Sequence, residues 1–224
     1  MVDRQRIIDV LVAVPALAVS SVPILFAAVA AKITNRHETA FFKQQRYGLH
    51  GKPFTIYKIR TMTSSRDAAG QMLPMAARVS KVGAFLRRTA LDELPQFWNI
   101  LKGDMSLIGP RPMARKPELS GLAERYAVRP GLTGLAPVTL KTRRNRTGYD
   151  QYSEAAEREK LALDLRYIKE RTLGIDLKIL WRTAAIVLTG RNDLLQARQM
   201  AVGIARPTSG HAMPLRRASR GRGF

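Results

Sequence analysis

The longest hydrophobic pattern in the chain is the uncharged stretch Val10 to Ala31, 22 residues between Asp9 and Lys32. At about 1.5 Å of rise per residue, a helix of this length reaches across a hydrocarbon core, which needs roughly 20 residues. Pro15 and Pro23 interrupt it, and each removes a backbone donor. Ser20 and Ser21, beside the second proline, can return hydrogen bonds to carbonyls freed at a break. The pattern predicts a broken, re-entrant membrane helix within residues 1–36, with its break at Ser21 and Pro23 and both ends on one membrane face. A spanning anchor with proline kinks is the other reading. The run exceeds the roughly 7–15 apolar residues of a cleaved signal peptide, so it is expected to stay on the chain.

Beyond it the period changes. Phe41 to Arg46 and Phe54 to Met62 alternate apolar and polar residues around a segment with two turn glycines, which predicts a β-hairpin. The two-residue period puts Lys58 and Arg60 on one face of its second strand. Residues 63–78 read as a loop or short helix, and Val82 to Ala90 as a helix carrying Arg87 and Arg88. A further helix is expected to start near Asp92, because Pro95 is tolerated in a first turn. Leu94, Phe97, Trp98 and Leu101 would be its buried face, and Lys102-Gly103 its end. Gly103 to Pro112 is expected as a stiff loop presenting Arg111 between prolines, and Val128 to Gly134 repeats that design with Arg129. Ser153 to Arg171 reads as a charged helix. The last helix has an apolar stripe at Leu177, Leu180, Trp181, Ala184, Val187 and Leu188, facing either the core or a membrane interface.

These elements give an α+β fold, mostly helical, with a re-entrant membrane helix, a small β-hairpin and interfacial amphipathic helices. Residues 37–195 are expected to form the cytoplasmic domain, and residues 205–224, rich in Pro, Ser, Gly and Arg, a disordered basic tail.

Charge narrows the partners. Against 38 Lys and Arg there are 17 acids, a net charge of +21, so an anionic partner is implied: nucleic acid, an anionic membrane or a phosphorylated substrate. Aromatic residues make up 7% of the chain and no nucleic-acid module is recognisable, so nucleic acid is not expected. With no Cys, thiolate chemistry and disulfides are excluded.

Within so basic a chain, the adjacent acids of Leu91-Asp92-Glu93-Leu94-Pro95-Gln96 stand out. Acids at a helix start commonly serve only as caps. Here, flanked by Arg87-Arg88 and Lys102, both are expected to stay ionised, and to suit a nucleophile or a metal ligand.

The broken apolar segment, Tyr57-Lys58-Ile59-Arg60-Thr61-Met62, Leu91 to Gln96, Gly103 to Pro112 and Arg129-Pro130-Gly131-Leu132-Thr133-Gly134 together resemble the bacterial monotopic polyprenyl-phosphate phosphoglycosyl transferases, the initiating sugar transferases. The resemblance covers roughly residues 4–190. It implies transfer of a sugar 1-phosphate from a UDP-sugar to undecaprenyl phosphate at the cytoplasmic face of the bacterial inner membrane. UMP would be released, and an exopolysaccharide, capsule or lipopolysaccharide glycan begun. It also implies that Asp92 is the nucleophile that forms a phosphosugar-aspartyl intermediate and that Glu93 helps to hold Mg2+. Lys58, Arg60, Arg87, Arg111 and Arg129 would bind phosphate, and Asp164 would match a family acid near the active site. Two departures accompany it: Val22 separates Ser21 from Pro23, and Leu135-Ala136-Pro137-Val138 replaces the Trp-Ala-Gln-Val common in the family. The competing expectation is a non-catalytic, membrane-anchored basic protein that binds anionic lipid or nucleic acid. What discriminates the two is whether Asp92, Glu93, Lys58, Arg87 and Arg111 converge in one cleft; if they are scattered in space, the enzyme reading fails.

Overall fold

The structure, a computed structural model, describes residues 4–114, 123–140 and 154–189. The expected tail at 205–224 and the limit of the cytoplasmic domain at residue 195 lie outside them.

Helix α1 (Arg4–Thr34) runs as one element through Pro15 and Pro23. The helix is continuous at the expected break, Ser21 and Pro23; Ser20 Oγ donates to the Leu17 carbonyl at 3.3 Å and Ser21 Oγ to that of Ala18 at 2.7 Å, as back-bonds within one turn. The buried side of α1 is narrow and built of small or polar residues, Asp9, Ala13, Ser20, Ala27, Ala28 and Ala31. Its large apolar side chains, including Leu11, Val19, Val22, Leu25 and Phe26, are exposed. This reverses the pattern of a water-soluble helix, in which large apolar residues face the core.

Both ends of α1 hold the rest of the chain. Near the N-terminus, Asp9 Oδ1 accepts from Ser106 Oγ (3.0 Å) and from the Leu107 amide (2.9 Å), while Arg6 donates to the carbonyls of Ile100 and Leu101. Near the C-terminus, Ala27, Ala28 and Ala31 pack with Ile59 and Leu86.

Strands β1 (Phe41–Tyr47) and β2 (Pro53–Ile59) form the expected antiparallel hairpin, with Lys58 opposite Phe42. After the short helix α2 (Met75–Arg78), α3 (Lys81–Thr89) starts at a Ser80 cap, whose Oγ accepts from the Gly83 amide at 2.9 Å. Gly83 lies so close to the chain leaving β2 that a Cβ on it would fall 2.0 Å from the Thr61 carbonyl oxygen. Only glycine allows that approach.

The helix expected from Asp92 starts later. Leu91–Glu93 is a 3-10 turn, and α4 covers Gln96–Lys102, ending in Gly103 at φ 88° as expected. Its buried residues are Gln96, Asn99 and Ile100, whereas Trp98 is 51% exposed, contrary to the apolar stripe. Asn99 explains the rotation. Its amide donates to the Thr55 carbonyl (2.7 Å) and accepts from the Tyr57 amide (3.3 Å), which satisfies open backbone groups of β2.

The expected stiff loops also contain strands. β3 (Ser106–Ile108) and β4 (Gly131–Thr133) pair in parallel and are almost wholly buried. Helices α5 (Glu154–Glu170) and α6 (Leu173–Thr189) follow. The core joins Ile56, Ile100, Met105, Ile108, Tyr167 and Ile179. On α6 the buried residues are Ile179 and Ile186, and the stripe at Leu177, Trp181 and Leu188 is exposed.

Replacing Gly83 with Ala therefore forces α3 away from β2. The expected cost is about 1–3 kcal/mol, typical of overpacking. At roughly 2–4 °C per kcal/mol for a body of this size, calorimetry should show the midpoint falling by several degrees.

Candidate active site

Three elements bring the acid pair and its cations together. Ala90, in the left-handed region at φ 58°, turns the chain from α3 directly into the 3-10 turn bearing Asp92 and Glu93. Strand β2 supplies Lys58. The last turn of α3 supplies Arg87, whose Nε donates to Thr61 Oγ1 at 2.8 Å. The segment after β3 supplies Arg111.

Glu93 is the meeting point. Its Oε1 accepts from Lys58 Nζ at 2.9 Å and from Arg111 Nη2 at 2.5 Å. Burial raises the Glu93 pKa, but the two cations outweigh burial and bring it down to about 2. Asp92 is in the opposite condition. It is 8% exposed, and burial, reinforced by the neighbouring Glu93 charge, lifts its carboxyl to about 6 despite Lys58 and Arg87. The expectation from the basic surroundings, that both acids stay ionised, is met by Glu93 and, at pH 7, by most of Asp92, whose pKa is about 6. For Asp92, desolvation is the larger effect.

The pair opens into a cleft of about 570 Å3 whose walls include Lys58, Arg60, Arg87 and Arg111. The five residues named as the discriminating set thus share one cleft. Arg60 pairs with Glu38 at 3.1 Å, and its guanidinium lies 5.6 Å from the Phe42 ring centre. Two other expected residues lie elsewhere. Arg129 donates from Nε to the Gly103 carbonyl (3.1 Å) and lines a separate cavity with Asp9, His50 and Arg171. Asp164 is 1% exposed on α5 and pairs with Arg125 at 2.6 Å. Ser21 and Pro23 sit on the exposed part of α1.

Several residues of the cleft carried no signal in the sequence. Arg78 brings a fifth cation to it, against the two carboxylates, and Phe42, Met62 and Met72 form its apolar lining. Alternation marks Phe42 as a strand residue but not as a wall, and Arg78 lies in a stretch without periodicity.

Among the described residues no three acidic or histidine side chains form a ready metal cage. Mg2+ is commonly held by only one or two carboxylates, completed by substrate phosphates and water. Asp92 and Glu93 fit that limited requirement. The surplus of cations suits the phosphates that would complete it, and such an ion would be shared with the substrate.

The electrostatics fix two opposite shifts. Glu93→Gln removes a charge that raises Asp92, so Asp92 should titrate below its present value of about 6. Lys58→Met removes a charge that lowers it, so titration should move upward. Carboxyl-carbon NMR across a pH series measures both.

Comparison with known proteins shows the family. The sequence profile described as bacterial sugar transferase matches residues 3–190. An uncharacterised sugar transferase of Bacillus subtilis is 42% identical over 189 residues, covering 82% of this chain and 87% of that protein. The UDP-glucose:undecaprenyl-phosphate glucose-1-phosphate transferase of Caulobacter vibrioides is 42% identical over 202 residues, covering 84% and 71%. The UDP-N-acetylgalactosamine-undecaprenyl-phosphate N-acetylgalactosaminephosphotransferase of Aeromonas hydrophila is 37% identical, and its match covers 83% of this chain but 44% of its own length.

Proposed function

The chain belongs to the bacterial sugar transferase family, and from that premise we propose that it moves a sugar 1-phosphate from a UDP-sugar to undecaprenyl phosphate and thereby starts a surface glycan. The observation that carries this reading is the burial of Asp92 beside the cation-bound Glu93, in a cleft with a surplus of positive charge.

The chemistry follows from that placement. An Asp92 oxygen attacks the β-phosphorus of the donor, the bridging P–O bond breaks, and UMP leaves with its electrons. The sugar phosphate is then an acyl phosphate on Asp92. A phosphate oxygen of undecaprenyl phosphate attacks the same phosphorus, forming the lipid diphosphosugar and returning the Asp92 carboxylate. With a pKa near 6, Asp92 is roughly nine-tenths ionised at pH 7 yet more basic than an ordinary aspartate. Lys58, Arg87 and Arg111 reduce the repulsion between this anion and the diphosphate. Glu93 would help to hold Mg2+, which would supply further charge neutralisation.

α1 supports a membrane arrangement. Arg6 and Asp9 at one end and Ala27 to Ala31 at the other both hold the cleft-bearing body, which supports a helix that enters and leaves by one face. Its exposed large apolar residues suit lipid. The exposed Leu177, Trp181 and Leu188 of α6 suit the lipid interface, with Trp181 at headgroup depth. The strongly basic composition supports a cytoplasmic position for this body, by the positive-inside bias.

UMP release should be measured with Mg2+, undecaprenyl phosphate and a panel of UDP-sugars. Wild type is expected to release UMP from at least one donor, and Asp92→Asn to lose about 10^3-fold or more, as when a covalent nucleophile is removed. The wild-type kcat/KM should rise as pH passes upward through about 6 and then level off, because only ionised Asp92 attacks. Absence of UMP with every donor from folded protein would reject the reading.

The double substitution Leu177→Glu and Trp181→Glu should weaken flotation with anionic vesicles about tenfold or more while leaving the far-UV spectrum unchanged. Unchanged flotation would separate α6 from the membrane.

A further inference from the structure

We propose that Asp164 is a positioning residue that fixes Arg111 in the cleft through Arg125. Asp164 and Arg125 are both absent from the cleft walls, so neither is placed to touch a substrate there. What they form is a chain of charged contacts leading to it. Asp164 Oδ2 holds Arg125 Nη2 at 2.6 Å, Arg125 Nη2 donates to the Arg111 carbonyl at 3.0 Å, and Arg111 Nη2 meets Glu93 Oε1 at 2.5 Å.

The Arg111 segment explains why such a chain is useful. It leaves β3 as Gly109-Pro110-Arg111-Pro112, where two residues lack an amide hydrogen and cannot donate to a neighbouring strand. The segment is held through its carbonyls. Pro110 O accepts from the Gly131 amide (2.9 Å) and Met113 O from the Tyr47 amide (3.0 Å), both backbone donors. The Arg111 carbonyl, between them, is held by a side chain. The Arg125 side chain is 11% exposed, and a cation that far from water needs a buried partner. Asp164, with a side chain 2% exposed, is that partner. Without it, Arg125 gains by turning toward solvent, the Arg111 carbonyl is released, and the guanidinium facing Glu93 loses its fixed origin. Buried ion pairs are weak sources of net stability, and their better-attested use is to specify one arrangement.

The kinetic part of the test rests on the transferase reading, whereas the exchange part does not. The variants are Asp164→Asn and Arg125→Lys, the second keeping a positive charge against Asp164 while losing the fork that reaches Arg111. Amide hydrogen exchange should quicken about tenfold at Tyr47 and Gly131, the amides that grip Met113 and Pro110, with exchange in α1 and β2 unchanged. UMP release should fall about tenfold or more in each variant, but less than about threefold when the same change is made in an Arg111→Gln background, because coupled residues are not additive. If Asp164→Asn does not fold, Arg125→Lys decides alone. Unchanged exchange at Tyr47 and Gly131 in folded Arg125→Lys overturns the proposal, as do losses that multiply fully with Arg111→Gln. If wild type releases no UMP, the transferase reading fails and the exchange data still decide the role of Asp164.

Discussion

The site depends on one shared oxygen. Glu93 Oε1 takes both Lys58 and Arg111, and so ties β2, the turn after α3 and the segment after β3 to one point. Two cations converging without an anion between them would repel each other, and the cleft would open. Because Glu93 absorbs their field, the adjacent Asp92 is left buried and less strongly stabilised as an anion. Two neighbouring acids thereby differ, about 2 against about 6 in pKa, and can do different work. Glu93 ties the site together, and Asp92 is the more basic carboxylate, as the proposed nucleophile should be.

Close backbone approaches make that convergence possible. Gly83 lets α3 lie against the chain leaving β2, and this brings Arg87 to Thr61 and the acid pair to Lys58. Gly131 does the same for the parallel pair: a Cβ there would fall 2.1 Å from the Gly109 amide nitrogen. β3 is then pinned to α1 by Asp9, so the membrane helix and the segment bearing Arg111 share a support. The apolar α1 is thus part of the body that bears the cleft, which suits an enzyme whose acceptor is a lipid.

The sequence made legible those features that repeat over several turns or carry unusual chemistry. The apolar α1, the alternating hairpin and the acid pair in a basic chain all appeared from pattern, and Lys58, Arg60, Arg87 and Arg111 lie around the acids. Strands β3 and β4 did not, because three wholly buried residues carry no period. On α4 the expected Phe97 and Leu101 do pack on the core, but Trp98 is exposed and Asn99, a polar residue, is buried to serve the backbone of β2. Asp164 was singled out only by the family resemblance, since its own pattern reads as an ordinary helix acid, and its connection to the cleft runs through Arg125, which no local motif marks. The pKa of Asp92 was also hidden, because net charge argues for easy ionisation while burial, visible only in the fold, opposes it.

If Asp92 is the nucleophile, it becomes covalently bonded to the sugar phosphate. The most direct test is to mix wild-type protein with its UDP-sugar and Mg2+ in the absence of undecaprenyl phosphate, quench rapidly, and examine the peptide containing Asp92 by mass spectrometry. A sugar-phosphate adduct on Asp92, formed with one equivalent of UMP and discharged on adding undecaprenyl phosphate, is the predicted result. Turnover with the lipid present but neither adduct nor UMP burst in its absence would contradict the account, and would mean that the lipid phosphate attacks the donor directly.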